Sequence, residues 1–196
     1  NIMEFKDNTV ILKRIPSELD KFAIEFLTLL EKHVEYVVIS GYVSILLGRT
    51  RSTEDIDVII KPIQKNTFSE LYNELQEKNF WCLNAESEEE LWSFLQDHLA
   101  IRFAKVNTSA PNFEVKFPKD ELDNEVFSDF IQVKLLTGTI KISSLERHIA
   151  FKKYYLGSQK DEEDALHIEE LFKEQINYQK VNKYKELIEK RNHEEK

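Results

Sequence analysis

The sequence predicts an α/β fold of the α+β kind, with a mixed β-sheet flanked by helices and followed by C-terminal helices. Two observations carry this prediction. β-rich runs alternate with helically spaced apolar segments over residues 17–142, whereas helical spacing alone follows from residue 143. The 196 residues include only four glycines and four prolines, with no repeat or linker. We therefore expect a single domain over 1–196, with a core over 17–142 and a C-terminal helical part over 143–196.

The first third of the core reads as helix, strand, tight turn, helix and strand. Ser17 is a good N-cap for an apolar-spaced helix. A β-branched run then ends at Ser40-Gly41, and a later one, built around two aspartates, is closed by Pro62. The predicted elements are a helix over 17–33, a strand over 36–39, a short helix over 42–47 and a strand over 53–61.

The rest of the chain predicts two helices, four strands and further helices. Gly138 suits a hairpin turn between the last two strands, and residues 143–146 have the pattern of a helix-opening capping box. Gly157 would end the helix that they open. The predicted elements are helices over 66–78 and 87–96, strands over 100–106, 112–117, 130–136 and 139–142, a helix over 143–156 and a pair of helices over 161–190.

Composition excludes several classes of protein. Hydrophobic residues make up 41% and charged residues 32%, which argues against disorder, and no apolar run is long enough to cross a bilayer. The start of the chain lacks the pattern of a signal peptide, so we expect a cytoplasmic protein. Cys82 is the only cysteine, which excludes an internal disulfide. The net charge of −9 disfavours sequence-independent nucleic-acid binding but allows a local basic pocket.

Asp55 and Asp57 carry the first chemical signal. Side chains alternate along a strand, so both carboxylates should point to the same face. Close like charges raise each other's pKa unless a cation lies between them, and carboxylate oxygens favour magnesium or manganese. The pattern therefore predicts a site for Mg²⁺ or Mn²⁺. The alternative is a pair of solvated aspartates at a sheet edge.

The segments before this strand suit a polyphosphate. Backbone N–H groups at the turn of Ser40 and Gly41 could meet an anion. Arg49 and Arg51 bring two guanidinium groups just before the aspartates. Taken singly, these features are equally typical of a tight turn and a solvated loop. Their coincidence with the two aspartates favours a nucleotide site.

Residues 38–42 (VISGY) and 51–58 (RSTEDIDV) resemble the signature of the nucleotidyltransferase superfamily related to DNA polymerase β. Within it, the chain is similar to minimal nucleotidyltransferases akin to the AbiEii toxin group. The resemblance is strong over 36–60 and looser over 113–165. It implies a nucleotidyltransferase-like fold that binds a nucleoside triphosphate and divalent metal ions.

The resemblance also implies roles for individual residues. Gly41 would contact the triphosphate, while Asp55, Asp57 and a third carboxylate, Glu114, would hold the metal and carry catalysis. The family pattern usually has Gly or Ser where this chain has Tyr42, so Ser40 or Ser44 would supply the small hydroxyl. The third acid is usually Asp, and the alternative for Glu114 is a solvated strand residue.

Lys152 is a further candidate for phosphate binding. It interrupts an apolar helical stripe that includes Ile149, and a lysine there needs an anionic partner. Asp161 and Asp164 begin the core-facing stripe of the next helix and could orient it. The family resemblance implies that this lysine contacts the nucleotide phosphates. The alternative is a structural ion pair between two helices.

These observations favour a metal-dependent nucleotidyltransferase that moves a nucleoside monophosphate from an NTP to an acceptor and releases pyrophosphate. Protein, RNA and small molecules are all open as acceptors. The alternative is a non-catalytic nucleotide-binding protein, or a toxin–antitoxin-type protein with a partner protein and a degenerate site. A third alternative is a structural interaction protein, in which Asp55 and Asp57 are exposed and have no chemical role.

Overall fold

The computed structural model describes residues 3–196. Its strands are β1 (Met3–Lys6), β2 (Thr9–Leu12), β3 (Tyr36–Ile39), β4 (Asp55–Ile60), β5 (Phe80–Cys82), β6 (Ile101–Lys105), β7 (Asn112–Lys116), β8 (Phe130–Leu135) and β9 (Gly138–Ser143). Its helices are α1 (Glu18–Glu31), α2 (Gly41–Leu46), α3 (Lys65–Glu77), α4 (Glu88–Gln96), α5 (Glu121–Asn124), α6 (Leu145–Phe151), α7 (Gln159–Leu171) and α8 (Tyr178–Glu194). A 3₁₀ turn (Glu125–Phe127) and a π-helical turn (Lys152–Leu156) follow α5 and α6.

All the strands lie in one nine-stranded sheet in the order β1-β2-β8-β9-β3-β4-β7-β6-β5. The pairs β2–β8, β3–β9 and β4–β7 are parallel, and the other pairs are antiparallel. The sheet is therefore mixed, and helices flank it. This confirms the predicted fold class.

The two faces of β4 have different surroundings. Ile56, Val58 and Ile60 belong to the main core, together with Phe26 of α1. Phe26 stacks on Phe113 of the neighbouring strand β7, with ring centroids 4.1 Å apart. Side chains alternate along the strand, so Asp55 and Asp57 lie on the opposite face. Packing of one face thus fixes where both carboxylates point.

The N-terminal strands differ from the prediction. β1 and β2 precede residue 17, yet they extend the sheet through the parallel pairing of β2 with β8. Each has only four residues, too few for a clear alternation pattern. Strand β5, with three residues, was missed for the same reason. The sheet therefore begins before the predicted core boundary at residue 17.

The start of α6 also differs from the predicted capping box. Ser143 is still the last residue of β9, and Ser144 is the N-cap, accepting a hydrogen bond from the backbone N–H of Arg147. Glu146 is consequently not the capping partner. The helix continues into the π-helical turn and ends at Gly157, whose φ of 68° is left-handed as predicted for a C-cap. None of the helices within residues 3–196 is long and apolar enough to cross a membrane.

Candidate active site

A cleft of about 270 Å³ opens beside the turn between β3 and α2. Register places Ile39, the last residue of β3, opposite Asp57 of β4, which brings the turn next to the two aspartates. Gly41, Asp55 and Asp57 all line this cleft, in the arrangement that strand alternation predicts. The lining residues are Ser40, Gly41, Arg51, Thr53, Asp55, Asp57, Lys152, Leu156, Lys160 and Asp161.

Asp57 has a carboxyl neighbour on the adjacent strand. β4 and β7 are paired in parallel, with Asp57 opposite Glu114. Burial of Asp57, and next the adjacent carboxyl of Glu114, raise the pKa of Asp57 to about 7. Asp57 can therefore hold a proton near neutral pH. The Asp57–Glu114 pair is also the kind of oxygen-rich, electrostatically crowded donor set that a hard divalent cation relieves.

Asp55 is held by two neighbours that the sequence did not indicate. Its Oδ1 accepts hydrogen bonds from Asn112 Nδ2 at 2.8 Å and from Arg102 Nη2 at 3.3 Å. The same Arg102 nitrogen lies 2.8 Å from Oε1 of Glu114. Arg102 thus bridges Asp55 and Glu114 and offsets part of their negative charge. Within residues 3–196, no group of three or more His, Cys, Asp or Glu residues is clustered as a metal centre.

Lys152 is buried at the far side of the cleft, and its partners are the predicted aspartates. Its Nζ donates to Oδ1 of Asp161 at 3.1 Å and lies 3.0 Å from Oδ2 of Asp164. Asp161 is anchored in turn, since it forms a capping box with Ser158 at the start of α7. The proximity of Lys152 to a carboxylate, which the apolar stripe predicted, is therefore present.

Asp164 is the centre of this network and has no exposed surface. Arg51 donates to it through Nη2 at 2.7 Å, and Arg49 through Nε at 2.9 Å. Burial by itself would raise the pKa of Asp164, but the hydrogen bonds from Arg51, Arg49 and Lys152 hold it well below its usual range. Asp164 is therefore ionised and fixes three cations beside the cleft.

The two arginines of the loop occupy different positions. Arg51 lines the cleft and lies over Gly41, where a Cβ would be 3.3 Å from Arg51 Nη2. The absence of a side chain at Gly41 thus allows this close approach. Arg49 does not line the cleft, because it binds Asp164 and Glu163. Its predicted contact with phosphate is corrected to a supporting role in the Asp164 network.

Ser44 also requires correction. Its side chain is fully buried, and its hydroxyl shares a 2.7 Å hydrogen bond with Nε2 of His148. Burial lowers the pKa of His148 to about 3, so this histidine is neutral at neutral pH. Ser44 lies on the face of α2 that packs against α6 and does not reach the cleft. Of the two serines expected to supply a small hydroxyl for phosphate contact, only Ser40 lines the cleft.

Tyr42 contributes to structure instead of the cleft. Its ring is buried, and its hydroxyl donates to Oδ1 of Asp20 at 2.7 Å. Asp20 is itself buried, and it also accepts from Arg14 and from the backbone N–H of Ser17. The residue that departs from the family pattern therefore ties α2 to the start of α1.

We expect Tyr42→Phe to lower the free energy of unfolding by about 1.5 to 3 kcal/mol, the worth of a hydrogen bond to a charged group. Urea denaturation of the variant and of the wild type would measure the effect. An unchanged free energy of unfolding would contradict this assignment.

Sequence analysis missed several residues of the site, most clearly Arg102. It alternates with apolar residues on β6 like any exposed strand residue. Its position opposite Glu114 follows only from the antiparallel register of β6 and β7. Asn112, paired with Asp55 across β4 and β7, was hidden in the same way. Lys160 also lines the cleft, but nothing in its sequence context distinguishes it from a solvated helix residue. Thr53, whose hydroxyl suits a polyphosphate, lines the cleft as well.

Comparison with known proteins gives limited similarity. No protein-family model and no curated protein matches the chain. Nine chains of solved structures match it. One is the crystal structure of an antigenic nucleotidyltransferase-like protein from Paracoccidioides brasiliensis, with 16% identity over 76% of this chain and 73% of that chain and a TM-score of 0.49. Similarity at this level does not establish a shared family or a shared activity.

Proposed function

We propose that this protein is a metal-dependent nucleotidyltransferase, which transfers a nucleoside monophosphate from an NTP to an acceptor and releases pyrophosphate. One observation carries the proposal. A single cleft brings Asp55 and Asp57, with Glu114 beside them, against the Gly41 turn and the cations of Arg51 and Lys152. Paired carboxylates facing fixed cations are what a metal-bound polyphosphate requires.

The triphosphate would lie along the cationic side of the cleft. Arg51 and Lys152 are already fixed by Asp164, so they lose little side-chain freedom when they bind an anion. Lys160 also lines the cleft, and Gly41 leaves room for close approach. Ser40 could donate its hydroxyl. Arg49 would act only by holding Asp164 in place.

Asp55, Asp57 and Glu114 would hold Mg²⁺ or Mn²⁺. The chemistry of the ligands suits a hard cation, because all are carboxylate oxygens and the carboxyl of Glu114 is close enough to raise the pKa of Asp57. Within residues 3–196 the three carboxylates do not form one cluster, and Arg102 bridges Asp55 and Glu114, so metal binding would require the Arg102 side chain to move. When bound, such an ion neutralises charge on the phosphate oxygens. Asp57, which lines the cleft, would also accept the proton of the attacking hydroxyl, with Glu114 beside it on β7 but outside the cleft lining.

The alternative is a non-catalytic nucleotide-binding or toxin–antitoxin-type protein with a degenerate site. The observation that favours it is Arg102, whose guanidinium balances the charges of Asp55 and Glu114 in place of a metal ion. In that case the protein would bind nucleotide without turnover, and metal would not strengthen the binding.

Turnover separates the two functions. Each of the four NTPs would be incubated with the protein and Mg²⁺ or Mn²⁺, and pyrophosphate release would be followed together with labelling of added protein, RNA or small hydroxyl compounds. The proposal expects metal-dependent pyrophosphate release that the double variant Asp55→Asn with Asp57→Asn lacks. Nucleotide binding that is independent of metal, with no release under any condition, would favour the alternative.

Lys152→Met tests the cationic side of the cleft. Methionine retains the apolar stem and removes the charge, so NTP affinity should fall by about 1.5 to 3 kcal/mol, the worth of a charge-assisted contact. The free energy of unfolding should fall less than when a buried carboxylate loses its only partner. Asp164 still accepts hydrogen bonds from Arg49 and Arg51, and Asp161 still accepts one from Ser158. Calorimetry and urea denaturation measure both quantities. If stability falls while NTP affinity is unchanged, Lys152 is only a structural ion.

A further inference from the structure

A second cavity, which we call the basic cavity, is also lined by Asp57 and has a volume of about 170 Å³. It is separate from the cleft but shares part of its wall, since Ser40, Asp57, Lys152 and Leu156 line both. A molecule bound here would lie directly beside the candidate catalytic carboxyl. The cavity is therefore placed to receive a second reactant.

Positive charge dominates this cavity. It is lined by two carboxylates, Asp57 and Asp123, and by the cations Lys116, Lys119, Arg147, Lys152 and Arg191. Some of these cations are already neutralised: Arg191 by Asp120 and Asp123, Lys119 by Glu195, and Lys152 by Asp161 and Asp164. Among residues 3–196, Lys116 forms no ion pair. The protein as a whole is acidic, with a net charge of −9, so this basic surface is a local feature.

Arg147 is the most informative residue of the basic cavity. It is only 2% exposed, and its guanidinium stacks on Phe151 at 4.1 Å from the ring centroid. Within the described part of the chain, neither Nε nor Nη2 has a hydrogen-bond partner. The nearest carboxylate oxygen, Oδ1 of Asp123, is 3.7 Å from Nη2, which is too long for a hydrogen bond.

A buried guanidinium with unused donors is costly for a protein to maintain. Burial lowers the pKa of Arg147 to about 10, so it stays charged at neutral pH. Phosphate and carboxylate groups match the planar donor arrangement of arginine, and such a group in the cavity that Arg147 lines would offset the charge of its guanidinium. The structure thus provides a reason for an anion to bind here that does not depend on the cleft.

We infer that the basic cavity is the acceptor site and that it binds the phosphate or carboxylate group of a small hydroxyl-bearing molecule through Arg147 and Lys116. This inference narrows the acceptor class and rests on the proposed function. A cavity of about 170 Å³ suits a small molecule better than a folded protein or a nucleic-acid duplex. Phe151 and Tyr155 also line it and could contact the carbon skeleton of such a molecule.

In the reaction that we infer, the NTP lies in the cleft and the acceptor in the basic cavity, and Asp57 lines both. The acceptor's hydroxyl oxygen attacks the α-phosphorus of the NTP and forms a new P–O bond. The bond from that phosphorus to the oxygen bridging to the β-phosphate breaks, and pyrophosphate leaves with the bonding electrons. The hydroxyl proton passes to the carboxylate of Asp57, which lines both cavities. The products are the acceptor nucleotidyl ester and pyrophosphate, and no redox partner is needed.

The first test follows the Nε–H signal of Arg147 by NMR in ¹⁵N-labelled protein, assigned by its absence in Arg147→Met. Inorganic phosphate and acetate are titrated separately, which distinguishes a phosphate from a carboxylate ligand. One of them should shift the signal saturably. In Lys116→Met its affinity should fall by about tenfold or more, as expected for loss of a charge-assisted contact. Lys134→Met, a charge-matched control on β8 that lines neither cavity, should leave the affinity unchanged.

The second test separates the basic cavity from the nucleotide site. A non-hydrolysable NTP with Mg²⁺ should bind Arg147→Met and Lys116→Met as it binds the wild type, and it should not displace phosphate or acetate from Arg147. This result stands even if the protein has no transferase activity, so failure of the proposed function would be seen separately. Methionine retains the contact with Phe151, and melting curves would check that Arg147→Met folds. If Arg147→Met does not fold, the anion and NTP affinities of Lys116→Met alone test the inference.

Two outcomes would overturn the inference. No saturable shift of the Arg147 signal with either anion would mean that the cavity binds no anion. A tenfold or greater loss of NTP affinity in the folded variants, or displacement of the anion by the NTP, would make the basic cavity part of the nucleotide site.

Discussion

If the protein is the nucleotidyltransferase proposed above, Asp57→Asn should reduce the rate of nucleotidyl transfer by about a hundredfold to ten-thousandfold, the usual contribution of a positioned acid or base. The amide keeps the size of the side chain but can neither accept the hydroxyl proton nor hold a metal ion as a carboxylate does. Stability should stay the same or rise, because the change relieves the crowding that raises the pKa of Asp57 to about 7 beside Glu114. Pyrophosphate release and urea denaturation would measure the two effects.

Asp97→Asn is a matched control, since Asp97 is an exposed residue at the end of α4, outside both cavities. It should change neither rate nor stability. If Asp57→Asn transfers nucleotide as fast as the wild type, Asp57 is not catalytic. If it unfolds the protein, the Asp57–Glu114 pair is a structural element instead.

Asp164→Asn should lower the free energy of unfolding by about 3 to 5 kcal/mol, the cost of removing one partner from a buried ion-pair network. The variant leaves Arg51, Arg49 and Lys152 without the charge that holds them together. Glu163→Gln is the control, because Glu163 is half-exposed and its contacts are an ion pair with Arg49 and an exposed hydrogen bond from Gln159. It should cost less than about 1 kcal/mol. Urea denaturation of both variants is the measurement.

This prediction has a pH dependence with a definite sign. The pKa of Asp164 in the folded protein lies well below its ordinary value of about 3.9. Its contribution to stability is therefore fully present above that value and is lost as the pH falls below it. The difference in unfolding free energy between wild type and Asp164→Asn should shrink below about pH 4. A difference that is small at neutral pH would contradict the role of Asp164.

The sequence allowed much of the fold and the centre of the site to be predicted, because local patterns determine them. Strand alternation placed Asp55 and Asp57 on one face, and the apolar stripe around Ile149 predicted an anionic partner for Lys152. The N-cap at Ser17 and the helix end at Gly157 likewise depend only on neighbouring residues in the sequence. The strands missed were β1, β2 and β5, which have three or four residues each and too little pattern to be recognised.

The remaining features of the site depend on the order of strands and the packing of distant helices. Arg102 reaches Glu114 only because β6 pairs with β7 in one particular register. Arg191 reaches the basic cavity from α8, a segment so rich in Lys and Glu that its sequence indicates only a solvated helix. Ser44 and Arg49 were misplaced because helical phase and loop path, which the sequence leaves open, decide whether they face the cleft.

Calorimetric titration of a non-hydrolysable NTP, with and without Mg²⁺, tests the central claim most directly, because that claim is a metal-dependent nucleotide site in the cleft of Asp55 and Asp57. The account predicts that Mg²⁺ strengthens binding to the wild type and that the double variant Asp55→Asn with Asp57→Asn loses this metal-dependent part while remaining folded. Binding of equal strength in wild type and double variant, whether or not Mg²⁺ is present, would contradict it.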